Sequence, residues 1–304
     1  MSAPIRNIGF IGIGSMGKPM AQRLVNAGYT LTVLDANSQA ASDFAAHSGA
    51  TATQDAAELA RQSDLIVTML PTSAIVESVL LGETGALAGI KAGTRILEMS
   101  SGIPSQTQKL AQLAADAGAT LLDAPVSGGV PRAESGELAI MVGGKPEDVK
   151  AVNDILACMG KSIVHTGDVG SAHAMKALNN LVSAGGFLIG VEALMIGQRF
   201  GLDPDVMVDV LNSSTGMNNS TQKKFKQYIL SRAFNSGFGL DLMVKDLSIA
   251  TGIAAESGTP APFSTLCREL WASSASLLGK GQDHTAMAKL VEHLANTELH
   301  SGKS

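Results

Sequence analysis

A glycine-rich turn near the start of the chain restricts the possible folds more than any other feature. It follows the apolar run IGFI at Ile8 and precedes a helical pattern that begins at Lys18. The turn is a GxGxxG pattern made of Gly12, Ile13, Gly14, Ser15, Met16 and Gly17. Such a turn lets the backbone approach a pyrophosphate, towards which free N–H groups and the positive end of a helix dipole point. GxGxxG also ends ordinary strands, so the surrounding chain decides its meaning.

Short apolar runs alternate with helical patterns from Ile5 to about Val164. This alternation predicts right-handed βαβ crossovers and a parallel sheet covered on both faces. Two later runs, Leu138–Val142 and Ser162–Val164, extend the predicted sheet, whereas helical spacing dominates after Gly170. We therefore predict an α/β fold, with a Rossmann-type doubly wound sheet in residues 1–165 and an all-helical domain in residues 166–304. The helical domain is expected to serve substrate binding and oligomerisation.

The composition excludes several classes of protein. Hydrophobic residues make up 45% of the 304 residues and charged residues only 16%, which argues against a disordered or coiled-coil protein. The net charge of −5 and the lack of a basic run argue against nucleic acid as the partner. The longest uncharged stretch, Ala177–Val191, is shorter than the roughly 20 residues of a membrane span. A small-molecule ligand is the expected partner.

The sequence shows neither a signal-peptide pattern nor metal-ligand spacing, and these two absences predict where the protein is located and whether it binds a metal. The first apolar run is soon broken by glycines, unlike that of a signal peptide, so we expect a cytoplasmic protein. Cys158 and Cys267 show no metal-ligand spacing, and we expect two reduced thiols. No pair among the six histidines has ligand spacing, so no metal is predicted.

Asp35 makes the glycine-rich turn a specific signal. It ends the second predicted strand, 18 residues after Gly17, where a carboxylate can accept hydrogen bonds from both ribose hydroxyls of a dinucleotide. The alternative is a helix cap for the turn that follows. No Lys or Arg lies between Arg23 and Arg61 to bind a 2′-phosphate, so NAD is predicted rather than NADP.

Three further segments end predicted strands. Leu70-Pro71 and Ser100-Ser101 lie at carboxyl edges near the switch point, where a dinucleotide binds, although either pair could simply shape a turn. Ser127-Gly128-Gly129 can present consecutive N–H groups to a substrate carboxylate. A plain glycine turn is the alternative there.

Lys176 is the candidate catalytic residue. Its helical neighbours are almost all apolar or small, and burial lowers the pKa of a lysine towards working pH, which suits proton exchange with a hydroxyl. Asn180 lies four residues on and therefore on the same helix face. The alternative is a snorkelling lysine beside a buried structural asparagine. His173 is expected to pack at the start of this helix.

Over nearly its whole length, the chain resembles the β-hydroxyacid dehydrogenases of the 3-hydroxyisobutyrate dehydrogenase and tartronate semialdehyde reductase type, which are related to 6-phosphogluconate dehydrogenase. The segments that carry the resemblance occur in the family's order and spacing: GFIGIGSMGKPMA, LEMSSGIP, DAPVSGGVPRAESGELAIMVGG, GSAHAMKALNN and MVKDLSIA. The family's GSGxxxK reads GSAHAMK here, so Ala172 replaces a glycine and His173 lies near the lysine. This departure bears on loop shape and substrate choice.

The resemblance implies a role for each candidate. Lys176 would be the catalytic lysine, and Asn180 with Ser127-Gly128-Gly129 would hold the substrate. Lys245 would close over the site beside the cofactor, supported by Asp246. The positions that would contact NAD are Leu70, Pro71 and Ser101, the last of which is often Thr in the family.

The expected activity is NAD-dependent oxidation of a short 3-hydroxy acid to its semialdehyde, or the reverse reduction. A 6-phosphogluconate-type decarboxylase is one alternative, but such relatives are much longer. An imine reductase is another, although those enzymes usually lack the lysine. A catalytically silent NAD-binding regulatory module is the third, and it would tend to lose Lys176 and carry additional domains or basic tails.

Two further sequence features bear on oligomeric state and on substrate preference. The helix His173–Phe200 is apolar on more than one face, which predicts a homodimer or homotetramer. The polar stretch Asn212–Thr221 and Arg132 favour a hydroxylated or doubly anionic acid of three to five carbons over 3-hydroxyisobutyrate. Helix caps and a solvated charge are the alternatives.

Overall fold

One β-sheet organises the first part of the chain. In the computed structural model, which describes residues 5–302, the strands are β1 Asn7–Ile11, β2 Thr30–Leu34, β3 Thr51–Ala52, β4 Leu65–Thr68, β5 Arg95–Glu98, β6 Thr120–Asp123, β7 Val126–Ser127, β8 Leu138–Gly143 and β9 Gly160–Gly167. Their order is β3-β2-β1-β4-β5-β6-β8-β7, with β9 paired to β8. The first six strands are parallel, whereas β6 and β8 are antiparallel. The later runs extend the sheet as β8 and β9.

Helices cover both faces of this sheet. They are α1 Gly17–Asn26, α2 Ser38–Ser48, α3 Ala56–Gln62, α4 Ser73–Leu80, α5 Ala86–Gly89, α6 Pro104–Asp116, α7 Gly129–Ser135 and α8 Pro146–Met159. Successive strand residues point to opposite faces, so Phe10 and Val67 lie in one hydrophobic core and Ile11 and Ile66 in the other. The chain leaves β1 towards β3 and returns to β4, which places the switch point between β1 and β4.

The second part of the chain is helical, and the predicted fold class is confirmed. Its elements are α9 Ser171–Phe200, α10 Pro204–Asn212, α11 Asn219–Lys223, a π-helix at Phe225–Leu230, α12 Leu240–Glu256, α13 Pro262–Leu278, a 3₁₀ helix at His284–Met287 and α14 Ala288–Ala295. An aromatic core holds them together: the Phe187 ring lies 5.7 Å from that of Phe225 and 5.5 Å from that of Trp271.

One predicted helix is interrupted. The spacing predicts a continuous helix from Ser220 to Leu230, but α11 ends at Lys223 and a π-helix begins at Phe225. Phe225, Ile229 and Leu230 are buried. Their spacing places them on one side of either helix type, so hydrophobic periodicity does not reveal the wider turn.

The chain divides into two units, Met1–Lys176 and Ala177–Ser304. The division therefore falls within α9, later than the predicted boundary after residue 165. The first turn of α9 belongs to the first unit because the carboxylate of Asp123, at the end of β6, accepts hydrogen bonds from N–H groups there. By length and composition α9 qualifies as a membrane span, but 56% of its most apolar window is buried inside the protein. A core helix of a helical domain has the same properties.

Candidate functional site

The glycine-rich turn has the backbone geometry of a phosphate-binding turn. Gly12 has φ of +102°, and a Cβ there would lie 2.3 Å from the carbonyl oxygen of Met69. A Cβ on Gly17 would lie 1.8 Å from the carbonyl oxygen of Gly12, so α1 can pack this closely only with glycine. At Gly14, by contrast, no atom of the described residues other than Gly14 and its two chain neighbours lies within 4 Å of the point that a Cβ would occupy. The turn is therefore closed on the protein side and open where a pyrophosphate would approach.

The carboxylate of Asp35 lies at this turn. It accepts hydrogen bonds from the N–H of Ile13 at 2.7 Å and from the N–H of Asn37 at 2.8 Å. Asn37, whose side chain accepts from Ala40 N, is the N-cap of α2, and Asp35 in turn accepts from the N–H of this cap residue. Asp35 thus presents a carboxylate beside the glycines at the carboxyl end of β2.

The ends of β4 and β5 are joined beside the switch point. The N–H of Leu70 donates to the hydroxyl of Ser100 at 2.9 Å. Pro71 and Ser101 are the next residue on each strand end, and Ser101 is half-buried. These residues lie along the same carboxyl edge as the glycine-rich turn, because β1, β4 and β5 are parallel neighbours.

A buried ion pair lies at the carboxyl end of β5. Glu98, the last residue of β5, contacts Nε2 of His173 through Oε2 at 2.8 Å, and both side chains are almost completely buried. Nδ1 of His173 lies 2.8 Å from the hydroxyl of Thr107, which also donates to the carbonyl of Ile103. Because the hydroxyl proton of Thr107 is donated to Ile103, the hydroxyl oxygen of Thr107 accepts a hydrogen bond from the Nδ1–H of His173. Both ring nitrogens are then donors, as in an imidazolium ion.

The pKa values of the pair shift in the directions that an ion pair requires. Burial raises the pKa of Glu98, but the charge and hydrogen bond of His173 outweigh burial and leave that pKa below its usual value. Burial lowers the pKa of His173, and contact with Glu98 outweighs it and leaves that pKa raised. Sequence reasoning placed His173 at the helix start but missed Glu98. The glutamate inside the apolar strand segment TRILEM could have indicated this ion pair, because a buried carboxylate requires a partner.

Two carboxylates hold the start of α9 against the strand ends. Asp123 accepts from the N–H of Gly170 at 2.8 Å and from the N–H of His173 at 2.9 Å. Glu98 holds the His173 ring. Lys176 follows three residues later and is only 7% exposed. The position of Lys176 relative to the ends of β5 and β6 is therefore determined by a rigid, buried set of contacts.

Asn180, one turn after Lys176 on α9, belongs to the second unit. Its amide nitrogen donates to Asp246 at 2.6 Å. The other oxygen of Asp246 lies 3.4 Å from the ammonium of Lys245. Asp246 is buried, and this hydrogen bond holds the amide of Asn180 in one orientation. Lys245 and Asp246 are thus more than a charged surface pair.

The Ser127-Gly128-Gly129 segment joins β7 to α7. Gly128 and Gly129 have φ of +140° and +70°, and both are exposed, whereas Ser127 is half-buried. Gly128 is the N-cap of α7, and no side-chain hydrogen bond of the described residues caps this helix end, where the first N–H groups have no partner within the helix. Arg132 is exposed and packs against Gly128, where an added Cβ would lie 2.7 Å from its Cδ.

Within residues 5–302, no group of three or more His, Cys, Asp or Glu side chains is arranged to hold a metal ion. The polar groups described above are instead a phosphate-binding turn, a carboxylate for ribose, a buried lysine and an oriented amide. This set is suited to a dinucleotide and a small polar substrate.

Comparison with known proteins identifies the family. A family model for the NAD binding domain of 6-phosphogluconate dehydrogenase matches residues 7–167, which is more than half of the chain. The chain belongs to the β-hydroxyacid dehydrogenase family. A second model, for the NAD-binding of NADP-dependent 3-hydroxyisobutyrate dehydrogenase, matches residues 170–291.

Individual members of the β-hydroxyacid dehydrogenase family match almost the whole chain. The 2-(hydroxymethyl)glutarate dehydrogenase of Eubacterium barkeri is 37% identical over 97% of this chain and 98% of that protein. The mitochondrial 3-hydroxyisobutyrate dehydrogenase of Mus musculus is 34% identical over 96% of this chain and 88% of that protein. The structure of 3-hydroxyisobutyrate dehydrogenase from Mycobacterium tuberculosis with L-serine has a TM-score of 0.87 at 31% identity, covering 94% of this chain and 99% of that chain.

This β-hydroxyacid dehydrogenase is therefore an oxidoreductase that acts on hydroxyacids with a nicotinamide cofactor. The first unit places the glycine-rich turn, Asp35, Leu70, Pro71 and Ser101 along one sheet edge, whereas Lys245 lies in the second unit. The second unit joins Asn180 to Lys245 through Asp246. Sequence reasoning missed Glu98 and Asp123, which hold the start of α9.

Proposed function

We propose that the enzyme uses NAD to oxidise the 3-hydroxyl of a short 3-hydroxy acid to its semialdehyde, or catalyses the reverse reduction, with Lys176 as general acid and base. The observation that carries this proposal is the position of Lys176. It is buried on α9, one turn beyond contacts that tie the helix to the ends of β5 and β6. The carboxyl edge formed by these strand ends is where a doubly wound sheet binds its dinucleotide.

The residues of the chain divide the work between binding and proton transfer. In the oxidation, the amine of Lys176 takes the hydroxyl proton while the C3 hydrogen leaves as hydride. The nicotinamide ring, when bound, accepts that hydride. The backbone N–H groups of Ser127-Gly128-Gly129 bind the substrate carboxylate, and the Asn180 amide, held by Asp246, orients the reacting hydroxyl.

The residues of the first unit fit an NAD molecule. Backbone N–H groups at Gly14 and Ser15 would bind the pyrophosphate, because the turn is open there and, in the described structure, no side chain caps α1. Asp35 would accept the ribose hydroxyls.

The cofactor preference is expected to depend on Asp35. The wild-type enzyme should have a higher kcat/KM with NAD than with NADP, because the carboxylate repels a 2′-phosphate. Asp35→Ala should lower kcat/KM for NAD by about 10- to 100-fold, the effect of losing charge-assisted hydrogen bonds, and should not lower it for NADP. Asp43→Ala, on the adjacent helix α2, is the control. Equal use of both cofactors by the wild type would show that Asp35 does not contact the ribose.

We also propose that the second unit forms a homodimer or homotetramer through α9. Val182, Ile189 and Ile196 recur every seven residues on the face opposite Asn180 and are 76%, 56% and 70% exposed. A continuous exposed apolar stripe of this kind is typical of a helix that packs against another chain.

The double variant Val182→Glu/Ile189→Glu is expected to shift the protein to a monomer, since four carboxylates would face one another across a two-fold interface. Light scattering coupled to gel filtration measures the mass. Leu294→Glu, a change at a 70% exposed leucine of α14, should leave the assembly intact. A wild-type protein that is monomeric at all concentrations would contradict the proposal.

The activity itself is tested by NADH formation with a panel of 3-hydroxy acids and their 2-hydroxy isomers. Turnover of 3-hydroxy acids alone is the expected result. Turnover confined to 2-hydroxy acids, or none with any member, would overturn the proposed function.

A further inference from the structure

Lys224 is a half-buried cation that the proposed mechanism does not use. It lies between the end of α11 at Lys223 and the start of the π-helix at Phe225. Its ammonium is 3.5 Å from the hydroxyl of Ser183 and 5.9 Å from the centre of the Phe187 ring. Burial lowers the pKa of Lys224 to about 8. The ammonium therefore sits against a neutral hydroxyl and an aromatic ring.

The charge of Lys224 lacks a close counter-ion within the described residues, since none of the ion pairs there includes it. Lys226, two residues further on, shows the contrast, because it pairs with Asp209 at 2.6 Å. The negative charge of Asp283 raises the pKa of Lys224 by electrostatic attraction. The carboxylate of Asp283 itself accepts hydrogen bonds from Ser236 and Thr285. A partly buried ammonium without a close carboxylate is costly unless an anion from outside the chain joins it.

The position of Lys224 connects it to the proposed substrate site. Ser183 follows Asn180 by three residues on α9, and Phe187 follows by seven, so all three share one face of the helix. The segment is held to α9 because Asn218 donates to the carbonyl of Gly186 at 3.3 Å. A π-helix starts directly after Lys224, and this rare geometry occurs frequently at functional sites.

The polar groups that sequence reasoning assigned to substrate choice have other partners. The side chain of Asn218 accepts from the N–H groups of Ser220 and Thr221 and caps α11. Asn212 donates to the carbonyl of Thr221. The helix-cap alternative thus describes Asn218, and a second anionic group of the substrate needs a different partner.

We propose that Lys224, with the hydroxyl of Ser183, binds a second carboxylate of the substrate, so that the enzyme selects dicarboxylic 3-hydroxy acids. The proposal rests on the proposed function, because it places the second carboxylate one helical turn beyond the Asn180 amide. Charge-assisted hydrogen bonds from a half-buried amine discriminate strongly against an apolar substituent.

Two substrates test the proposal: 2-(hydroxymethyl)glutarate and 2-(hydroxymethyl)pentanoate. They share the reacting hydroxymethyl group and the first carboxylate, and they differ only in a distal carboxylate or methyl group. The wild-type kcat/KM is expected to favour the glutarate by about 100-fold. Lys224→Met should remove most of this preference by lowering kcat/KM for the glutarate alone. Lys224→Arg should retain much of it, and the control Lys226→Met should leave it unchanged.

The pH dependence of substrate preference provides an independent test of the role of Lys224. The ratio of the two kcat/KM values should fall as pH rises through about 8, because Lys224 loses its charge there. Proton transfer at Lys176 affects both substrates and cancels in the ratio. The other titratable groups near Lys224 do not change protonation state near pH 8. The pKa of Asp283 is lowered, so Asp283 stays ionised, and the pKa of His284 is about 4, so His284 stays neutral. Among the described residues of α9, the uncharged Ser183 and Phe187 are those that contact Lys224.

Calorimetric binding separates this proposal from the proposed function. If no 3-hydroxy acid is oxidised, but 2-(hydroxymethyl)glutarate binds the NAD-loaded enzyme and Lys224→Met weakens that binding, only the activity is wrong. Equal wild-type kcat/KM for the two substrates would overturn the role of Lys224. So would an equal loss for both substrates in a folded Lys224→Met enzyme.

Discussion

Lys176→Ala is expected to lower kcat by about 10²- to 10⁴-fold, the usual effect of losing a general acid or base. The affinity for NAD should change little, because the glycine-rich turn and Asp35 lie on other elements of the first unit. Steady-state kinetics and fluorescence titration with NADH measure the two effects. Lys161→Ala, at an exposed lysine in β9, is the control for loss of a positive charge. Wild-type turnover in Lys176→Ala with an unchanged pH profile would show that another group moves the proton.

Glu98→Gln is expected to reduce the free energy of unfolding by about 3–5 kcal/mol, because it removes the carboxylate that pairs with the buried His173 imidazolium. The double variant Glu98→Gln/His173→Gln removes both charges and should recover much of the loss. Urea unfolding monitored by circular dichroism gives the values. A loss below about 1 kcal/mol in the single variant would contradict a buried ion pair.

The same pair predicts how stability depends on pH. The raised pKa of His173 adds stability that is fully present below pH 6.5 and is lost as pH rises through the folded-state value. The lowered pKa of Glu98 adds stability that is present above pH 4.5 and is lost as pH falls through its folded-state value. The contribution of the pair is therefore largest between these two limits. The double variant should lack this maximum.

The fold was predictable from the sequence because its signals are local. Apolar runs of strand length, helical spacing and the glycines at 12, 14 and 17 each act within a few residues, and together they specify a doubly wound sheet and a helical half. The wider turn at Phe225–Leu230 was not predictable, because the same residues are buried in an α-helix and in a π-helix.

The candidate site was predictable only in part. Lys176 and Asn180 share a helix, so their spacing shows that they share a face. Glu98 and His173 are 75 residues apart in the chain, and only the fold brings the carboxylate to the ring. The lack of a close counter-ion at Lys224 is likewise a tertiary property, since the sequence shows several lysines together in KKFK and not which of them is paired.

Deuterium transfer tests the central claim most directly. The enzyme is incubated with NAD and a 3-hydroxy acid that carries deuterium either at C3 or at C2, and the reduced cofactor is analysed by mass spectrometry. Our account predicts one deuterium in NADH from the C3-labelled acid and none from the C2-labelled acid. Deuterium from C2, or NADH without deuterium from the C3-labelled acid, would contradict hydride transfer from the 3-position.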